Sequence, residues 1–86
     1  MTEQKIQTAI KNKLKRSGWE VVKLISTSMI GIPDLMALRD GVIVFIEVKS
    51  DIGVPSKLQL YRIEQLKKMG FEALIARSIQ DINHLL

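Results

Sequence analysis

The sequence predicts an α/β domain in which a central mixed sheet is flanked by helices, in the order α-β-β-β-α-β-α. Three observations favour this class: two segments with helical periodicity, two apolar runs joined by a tight turn, and a strand-helix-strand unit near the end. Hydrophobic residues make up 47% of the 86 residues, which is enough for one core. We therefore expect residues 1–86 to form a single domain.

The first helix is predicted over residues 2–17. Its apolar side chains recur at helical spacing, and Gly18 follows as a helix terminator. On a helical wheel Glu3 falls on the apolar stripe, which predicts that it points toward the sheet. The alternative is that Glu3 only complements the helix dipole in the first turn.

Residues 19–25 are β-branched and aromatic and predict a first strand, which a loop over residues 26–33 follows. The next two strands meet at Asp40-Gly41, a dipeptide preferred in two-residue type I′ turns. With these two as the loop residues, Arg39 pairs with Val42, and the register runs back to a pair of Asp34 with Glu47.

That register brings three charged groups together. Asp34 and Glu47 become cross-strand neighbours, and Lys49 lies on the same face of its strand as Glu47. Two carboxylates ~5 Å apart repel by roughly 3 kcal/mol at an effective dielectric of about 20, so a cation is expected between them. Carboxylate oxygens suit a hard divalent ion such as Mg²⁺ or Mn²⁺. The alternative is an internal ion pair of Lys49 with one acid.

The second helix is predicted from a capping box formed by Ser56 and Gln59, and it runs to Met69 with Gly70 beyond it. Its buried arc includes Gln59 and Arg62, and polar groups there need partners. For Gln59 the alternative role is the capping box alone. For Arg62 the alternative is a packed stem with its charged end in solvent.

A last strand is predicted over residues 71–76 and a short closing helix over residues 78–86. Because a helix separates this strand from the one before it, the two are expected to lie parallel in one sheet.

Composition narrows the function classes. The chain has no cysteine and one histidine, His84, so thiolate zinc sites and a histidine-based site are not expected. The formal charge of +4 allows a polyanionic partner. No segment has the length of a membrane span and no signal-peptide pattern opens the chain, so we expect a soluble, cytoplasmic protein.

Three short motifs lie in the segments just described: Gly31-Ile32-Pro33-Asp34-Leu35, Ile46-Glu47-Val48-Lys49-Ser50 and Ser56-Lys57-Leu58-Gln59. They resemble those of the PD-(D/E)XK, or restriction endonuclease-like, nuclease superfamily, and within it the VRR-NUC domains. The resemblance extends from Glu3 to about Ala76 and implies a restriction endonuclease-like core.

The resemblance also implies a set of site residues. Asp34, Glu47 and the backbone carbonyl of Val48 would hold Mg²⁺, with Mn²⁺ able to substitute. Lys49 would orient the attacking water, and Gln59 would complete the site. Glu3 matches an acidic residue that many relatives place on the first helix.

The implied activity is hydrolysis of DNA phosphodiester bonds, selective for four-way or branched DNA, by a homodimer without a nucleotide cofactor. The alternative is an inactive nuclease-like module that binds nucleic acid or protein. Side chains expected to contact DNA, unless they only form solvated helix faces, are Lys57, Arg62, Ser28, Lys11 and Lys15.

Overall fold

The computed structural model describes residues 1–86 and has the predicted element order. Two α-helices and four strands are followed by a C-terminal 3₁₀-helix: α1 (Glu3–Arg16), β1 (Glu20–Lys23), β2 (Leu35–Arg39), β3 (Val42–Val48), α2 (Lys57–Lys68), β4 (Glu72–Ala76) and the 3₁₀-helix (Ile79–Leu85). None of the helices combines the length and the hydropathy needed to cross a membrane.

The four strands form one sheet in the order β1-β2-β3-β4. The first two pairings are antiparallel, and β3 lies parallel to β4 through the α2 crossover, which confirms the predicted mixed sheet. Because β3 is bonded on both sides, its residues from Val44 to Val48 are buried.

The β2–β3 hairpin turns at Asp40-Gly41 as predicted. Asp40 has φ of 52° and Gly41 has φ of 78°, so both take the left-handed conformation that a type I′ turn requires. The register runs from Arg39 opposite Val42 to Leu35 opposite Ile46, as expected. The paired ladder ends there, one step short of the expected Asp34–Glu47 pair.

The alternation of side chains along β3 divides the core in two. Val44, Ile46 and Val48 belong to the larger cluster with α1 and the 3₁₀-helix, whereas Phe45 packs with Ile63 and Leu66 of α2. Glu47 shares the parity of Phe45, so its side chain projects into the α2 layer.

Two elements differ from the sequence prediction. The closing helix is a 3₁₀-helix: Ser78 makes no side-chain cap, and the Asp81 carboxylate instead accepts from the Arg77 N–H at 2.8 Å. The first strand is shorter than expected, and Trp19 lies outside it. The Trp19 ring N–H donates to the Leu85 carbonyl at 2.9 Å. Trp19 therefore attaches the C-terminal segment to the start of the sheet.

The geometry of the Asp40-Gly41 turn predicts how a substitution at Gly41 changes stability. A Cβ on Gly41 would meet no atom within 4 Å, so Gly41→Ala imposes only the cost of a positive φ. We expect the free energy of unfolding to fall by about 1 kcal/mol, measured by urea denaturation. Asp40→Asn is the control and should change it by less than about 0.5 kcal/mol, because asparagine tolerates this conformation. An unchanged stability in Gly41→Ala would contradict the turn assignment.

Candidate active site

The site is built around Glu47, the one charged side chain that the fold buries, with 1% of its surface exposed. Its Oε2 lies 3.4 Å from the Lys49 ammonium and accepts a hydrogen bond from the Gln59 amide at 3.2 Å. Its Oε1 is also buried and has no hydrogen-bond partner. Since buried carboxylate oxygens are normally satisfied, this oxygen is available for a ligand.

The position of Lys49 next to Glu47 follows from strand geometry. It lies two residues beyond Glu47 and therefore on the same face, and its side chain is 14% exposed. The Lys49 backbone N–H donates to the Ala76 carbonyl at 3.1 Å, which extends the contact with β4 beyond the end of β3. Lys49 and Glu47 therefore form the ion pair that the sequence offered as the alternative to a cation site.

Gln59 reaches Glu47 while it caps α2. Its Oε1 accepts from the Ser56 N–H at 2.9 Å, and the Ser56 hydroxyl accepts from the Gln59 N–H at 3.1 Å. The amide nitrogen is left free to donate to Glu47. The two roles that the sequence offered as alternatives are thus compatible, since they use different atoms of one amide.

Asp34 lies immediately before β2, at the end of the loop over residues 24–34. Its backbone carbonyl accepts from the Leu24 N–H at 2.8 Å, and its side-chain Oδ2 accepts from the Val48 N–H at 3.1 Å. Beyond the last pair of the ladder, the Asp34 carboxylate therefore maintains the contact between the two strands next to Glu47.

The electrostatics of the site centre on Glu47. The pKa of this carboxyl is raised from 4.5 to about 7, first by burial and next by the neighbouring negative charge of Asp34. Lys49 opposes both effects through its charge and its hydrogen bond, while Glu3 adds a smaller repulsion. The effects that disfavour the charged form of Glu47 outweigh the effect of Lys49, and a bound cation would offset them.

The donor set fits a hard divalent cation. Asp34 and Glu47 supply carboxylates, and the Val48 carbonyl belongs to the residue between Glu47 and Lys49. No cluster of three or more acidic, histidine or cysteine side chains is present. A site with two carboxylates is sufficient for Mg²⁺, which retains several waters and often binds substrate phosphate as well.

Glu3 is exposed in the first turn of α1, ahead of Ile6, the first residue of the helix that packs into the core. It affects Glu47 through its charge and makes no ion pair with Lys49.

The candidate DNA-contacting residues fall into two groups. Lys11 and Lys15 lie on α1, in the layer across the sheet from the Glu47 side chain, so they do not converge with the site. Lys57 is exposed at the start of α2, and Ser28 is exposed in the loop that leads to Asp34.

Arg62 is the fifth of these residues and is half-buried. Its Nε donates to the Ile30 carbonyl at 2.9 Å, and its Nη1 donates to Gln65 at 3.1 Å. The guanidinium therefore ties the loop before Asp34 to α2, and it has the hydrogen-bond partners that a polar group on the buried arc needs.

A glycine that sequence reasoning did not single out as structural completes that connection. Gly31 has φ of +84°, and a Cβ there would lie 2.7 Å from Leu58 Cγ. Only glycine lets the loop approach α2 this closely. The loop that ends in Asp34 is consequently packed against the helix that carries Gln59.

A separate cavity of about 580 Å³ lies between α1 and the 3₁₀-helix. Its lining includes Ile6, Lys13, Arg77 and Asn83. It does not include the site residues Asp34, Glu47, Lys49 and Gln59. The candidate site is therefore not part of this cavity.

The raised pKa of Glu47 predicts a pH-dependent stability of the metal-free protein. The folded state keeps the proton up to about pH 7, whereas the unfolded chain loses it near 4.5, so stability falls as pH rises between these values. Glu47→Gln should lie within about 1 kcal/mol of wild type near pH 5 and exceed its unfolding free energy by up to about 3 kcal/mol at pH 8.

Urea denaturation in EDTA from pH 5 to pH 8 measures this difference. Glu64→Gln is the matched control, since this carboxylate is 63% exposed and pairs only with Lys67. It should follow the wild-type pH profile. Parallel profiles for Glu47→Gln and wild type would show that the Glu47 carboxyl is not perturbed.

The chain matches a known protein family and a known protein. The family model for archaeal Holliday junction resolvase (Hjc) matches residues 4–80. The chain is 29% identical over 85 residues to the protein named "Putative nuclease p44" of Acyrthosiphon pisum secondary endosymbiont phage 1, covering 98% of this chain and 90% of the relative.

Solved structures extend the comparison to the fold. A VRR_NUC domain superposes with a TM-score of 0.84 and 32% identity, over 99% of this chain and 95% of that chain. A second VRR_NUC domain protein gives a TM-score of 0.75 at 23% identity, over 99% of this chain and 84% of the other, and supports the fold alone. The chain therefore belongs to the restriction endonuclease-like nucleases, in the group that includes the VRR-NUC domains and the archaeal Holliday junction resolvase (Hjc) family.

Proposed function

We propose that this nuclease is a divalent-metal-dependent DNA endonuclease whose metal is Mg²⁺, with Mn²⁺ able to replace it. The observation that carries this proposal is the buried Oε1 of Glu47, which has no hydrogen-bond partner, in a carboxyl whose pKa the charge of Asp34 helps to raise. Asp34, Glu47 and the Val48 carbonyl would hold the ion. A buried carboxylate with one open oxygen is costly for folding unless a cation binds it.

The residues divide the chemistry of phosphodiester hydrolysis among them. A bound Mg²⁺ would supply a Lewis acid that activates water and stabilises charge on the phosphate. Lys49 has its ammonium next to Glu47 and places a positive charge where an attacking water and a phosphate oxygen would meet. Gln59 fixes the rotamer of Glu47 through its hydrogen bond. Glu3 adds negative potential that favours the cation.

We further propose branched DNA, and four-way junctions in particular, as the substrate, cut by a homodimer. The matching family model is that of a Holliday junction resolvase, and the extents of 32 × 31 × 23 Å allow one subunit to cover only a short duplex. A twofold dimer would present two sites to a substrate with twofold symmetry. Lys57, Arg62 and Ser28 are the proposed DNA contacts near the site, with Lys11 and Lys15 on the other layer.

The activity is tested by incubating wild type with linear, nicked, flapped and four-way DNA in Mg²⁺, Mn²⁺ or EDTA. We expect metal-dependent cleavage, fastest on the four-way junction. Asp34→Asn, Glu47→Gln and Lys49→Ala should each lower the single-turnover rate by about 10²–10³-fold, because each removes charge stabilisation at the reacting phosphate.

Glu64→Gln is the control for the loss of a carboxylate, because it changes the same functional group on the exposed side of α2. It should retain the wild-type rate. Equal rates for wild type and all three site variants on every substrate would exclude Asp34, Glu47 and Lys49 from the chemistry. Cleavage that persists in EDTA would exclude the metal.

The dimer is tested separately by sedimentation equilibrium. At micromolar concentration the free protein should show twice the 9.8 kDa chain mass, and on a four-way junction it should bind as two chains. One chain per junction, together with a monomer in solution, would contradict the dimer without affecting the assignment of the chemistry.

A further inference from the structure

Arg77 immediately follows β4 and is outside the set of residues that the proposed function uses. Its side chain is half-buried, and one guanidinium nitrogen, Nη1, donates to two backbone carbonyls. These carbonyls belong to Ser50, at 2.6 Å, and Gly53, at 2.7 Å. The guanidinium forms no ion pair with a carboxylate, so backbone carbonyls are its identified partners.

The segment that Arg77 holds begins directly after Lys49. Residues 50–53 form a tight turn, since the Gly53 N–H donates to the Ser50 carbonyl at 3.2 Å. The carboxyl end of β4 thus contacts this part of the chain twice in succession. Ala76 accepts from the Lys49 N–H at 3.1 Å, and Arg77 binds the turn that follows.

The turn lies near the Lys49 side chain. Gly53 has no side chain, but a Cβ built on it would lie 3.5 Å from Lys49 Cδ, so the Gly53 backbone is close to the methylene stem of the lysine. That stem carries the ammonium to Glu47, 3.4 Å from Oε2. A lysine has a long, flexible stem, so a fixed backbone on one side of it reduces the positions that its ammonium samples.

We propose that Arg77 is a positioning residue for Lys49, and that it acts by fixing the 50–53 turn, which begins directly after Lys49 and lies near the lysine stem. The inference rests on the proposed function, in which Lys49 acts on the phosphate. Arginine suits this task because its planar guanidinium can offer two N–H groups of one nitrogen to two acceptors in fixed geometry. A lysine offers its donors from a single rotating ammonium, which orders the turn less.

The experiment compares Arg77→Ala and Arg77→Lys with wild type on a four-way junction under single turnover. We expect the cleavage rate to fall about 10–100-fold in Arg77→Ala, because a small displacement of a reacting group is enough for a loss of this size. Binding of the junction in Ca²⁺, measured by fluorescence anisotropy, should change by less than about threefold, since Arg77 donates to the chain itself. Arg77→Lys keeps the charge and should still lose most of the rate.

Two comparisons separate positioning from general loss of structure. Arg39→Ala is the matched control, because Arg39 Nη1 also donates to a backbone carbonyl, that of Ser17 at 2.9 Å, next to the hairpin turn. It should retain the wild-type rate. In a Lys49→Ala background, Arg77→Ala should lower the rate by less than about twofold more, since both changes remove the same contribution.

The outcomes distinguish this inference from the proposed function. Absence of cleavage by wild type on every DNA would defeat the proposed function. Cleavage by wild type with a wild-type rate in Arg77→Lys would show that charge alone suffices and would overturn the positioning role. An equal loss from Arg77→Ala with and without Lys49 would also overturn it.

The NMR signal of the Lys49 side chain tests the positioning role without measuring DNA cleavage. In Arg77→Lys the Lys49 ¹H–¹³Cε resonance should shift and broaden, because the turn no longer confines the stem. The same resonance should stay in place in Arg39→Ala. An unmoved Lys49 signal in Arg77→Lys would overturn the inference even if the DNA substrate had been chosen wrongly.

Discussion

The structure depends on how the negative charge of Glu47 is tolerated inside the protein. Removing a carboxylate from water is unfavourable by several kcal/mol, so its neighbours must offset that cost. The Lys49 ammonium and the Gln59 amide both approach Oε2, while Oε1 lacks a partner and the pKa is raised to about 7. The fold therefore provides partners for Oε2 alone, and the unpartnered Oε1 has the environment that a cation would suit.

The elements around Glu47 are connected by residues that serve both fold and site. Gln59 caps α2 with its carbonyl oxygen and holds Glu47 with its amide nitrogen. Asp34 accepts from the Val48 N–H and at the same time brings a second carboxylate to the proposed metal site. Because one side chain performs both tasks, a change at either position alters backbone connections as well as chemistry, and activity data on such variants require a parallel measure of stability.

Several parts of the fold and site could be read from local sequence. The type I′ turn at Asp40-Gly41 determined the β2–β3 register, because left-handed backbone geometry at two adjacent residues is available to few sequences. Register and strand alternation then placed Glu47 and Lys49 on one face. The capping box located the start of α2 through a pattern only four residues long. The same register predicted Asp34 beside Glu47, and the helical wheel placed Gln59 on the buried arc of α2.

The sequence by itself therefore determined the element order, the hairpin register and the core of the site, since turns, caps and strand alternation depend on residues near each other in the chain. Only the tertiary structure decided the remainder. It exposed Glu3 beyond the packed part of α1, engaged Arg62 with the Ile30 carbonyl, and brought Arg77 to the turn after Lys49. These contacts join residues far apart in sequence, and their geometry follows from how helices pack on the sheet, which no local pattern encodes.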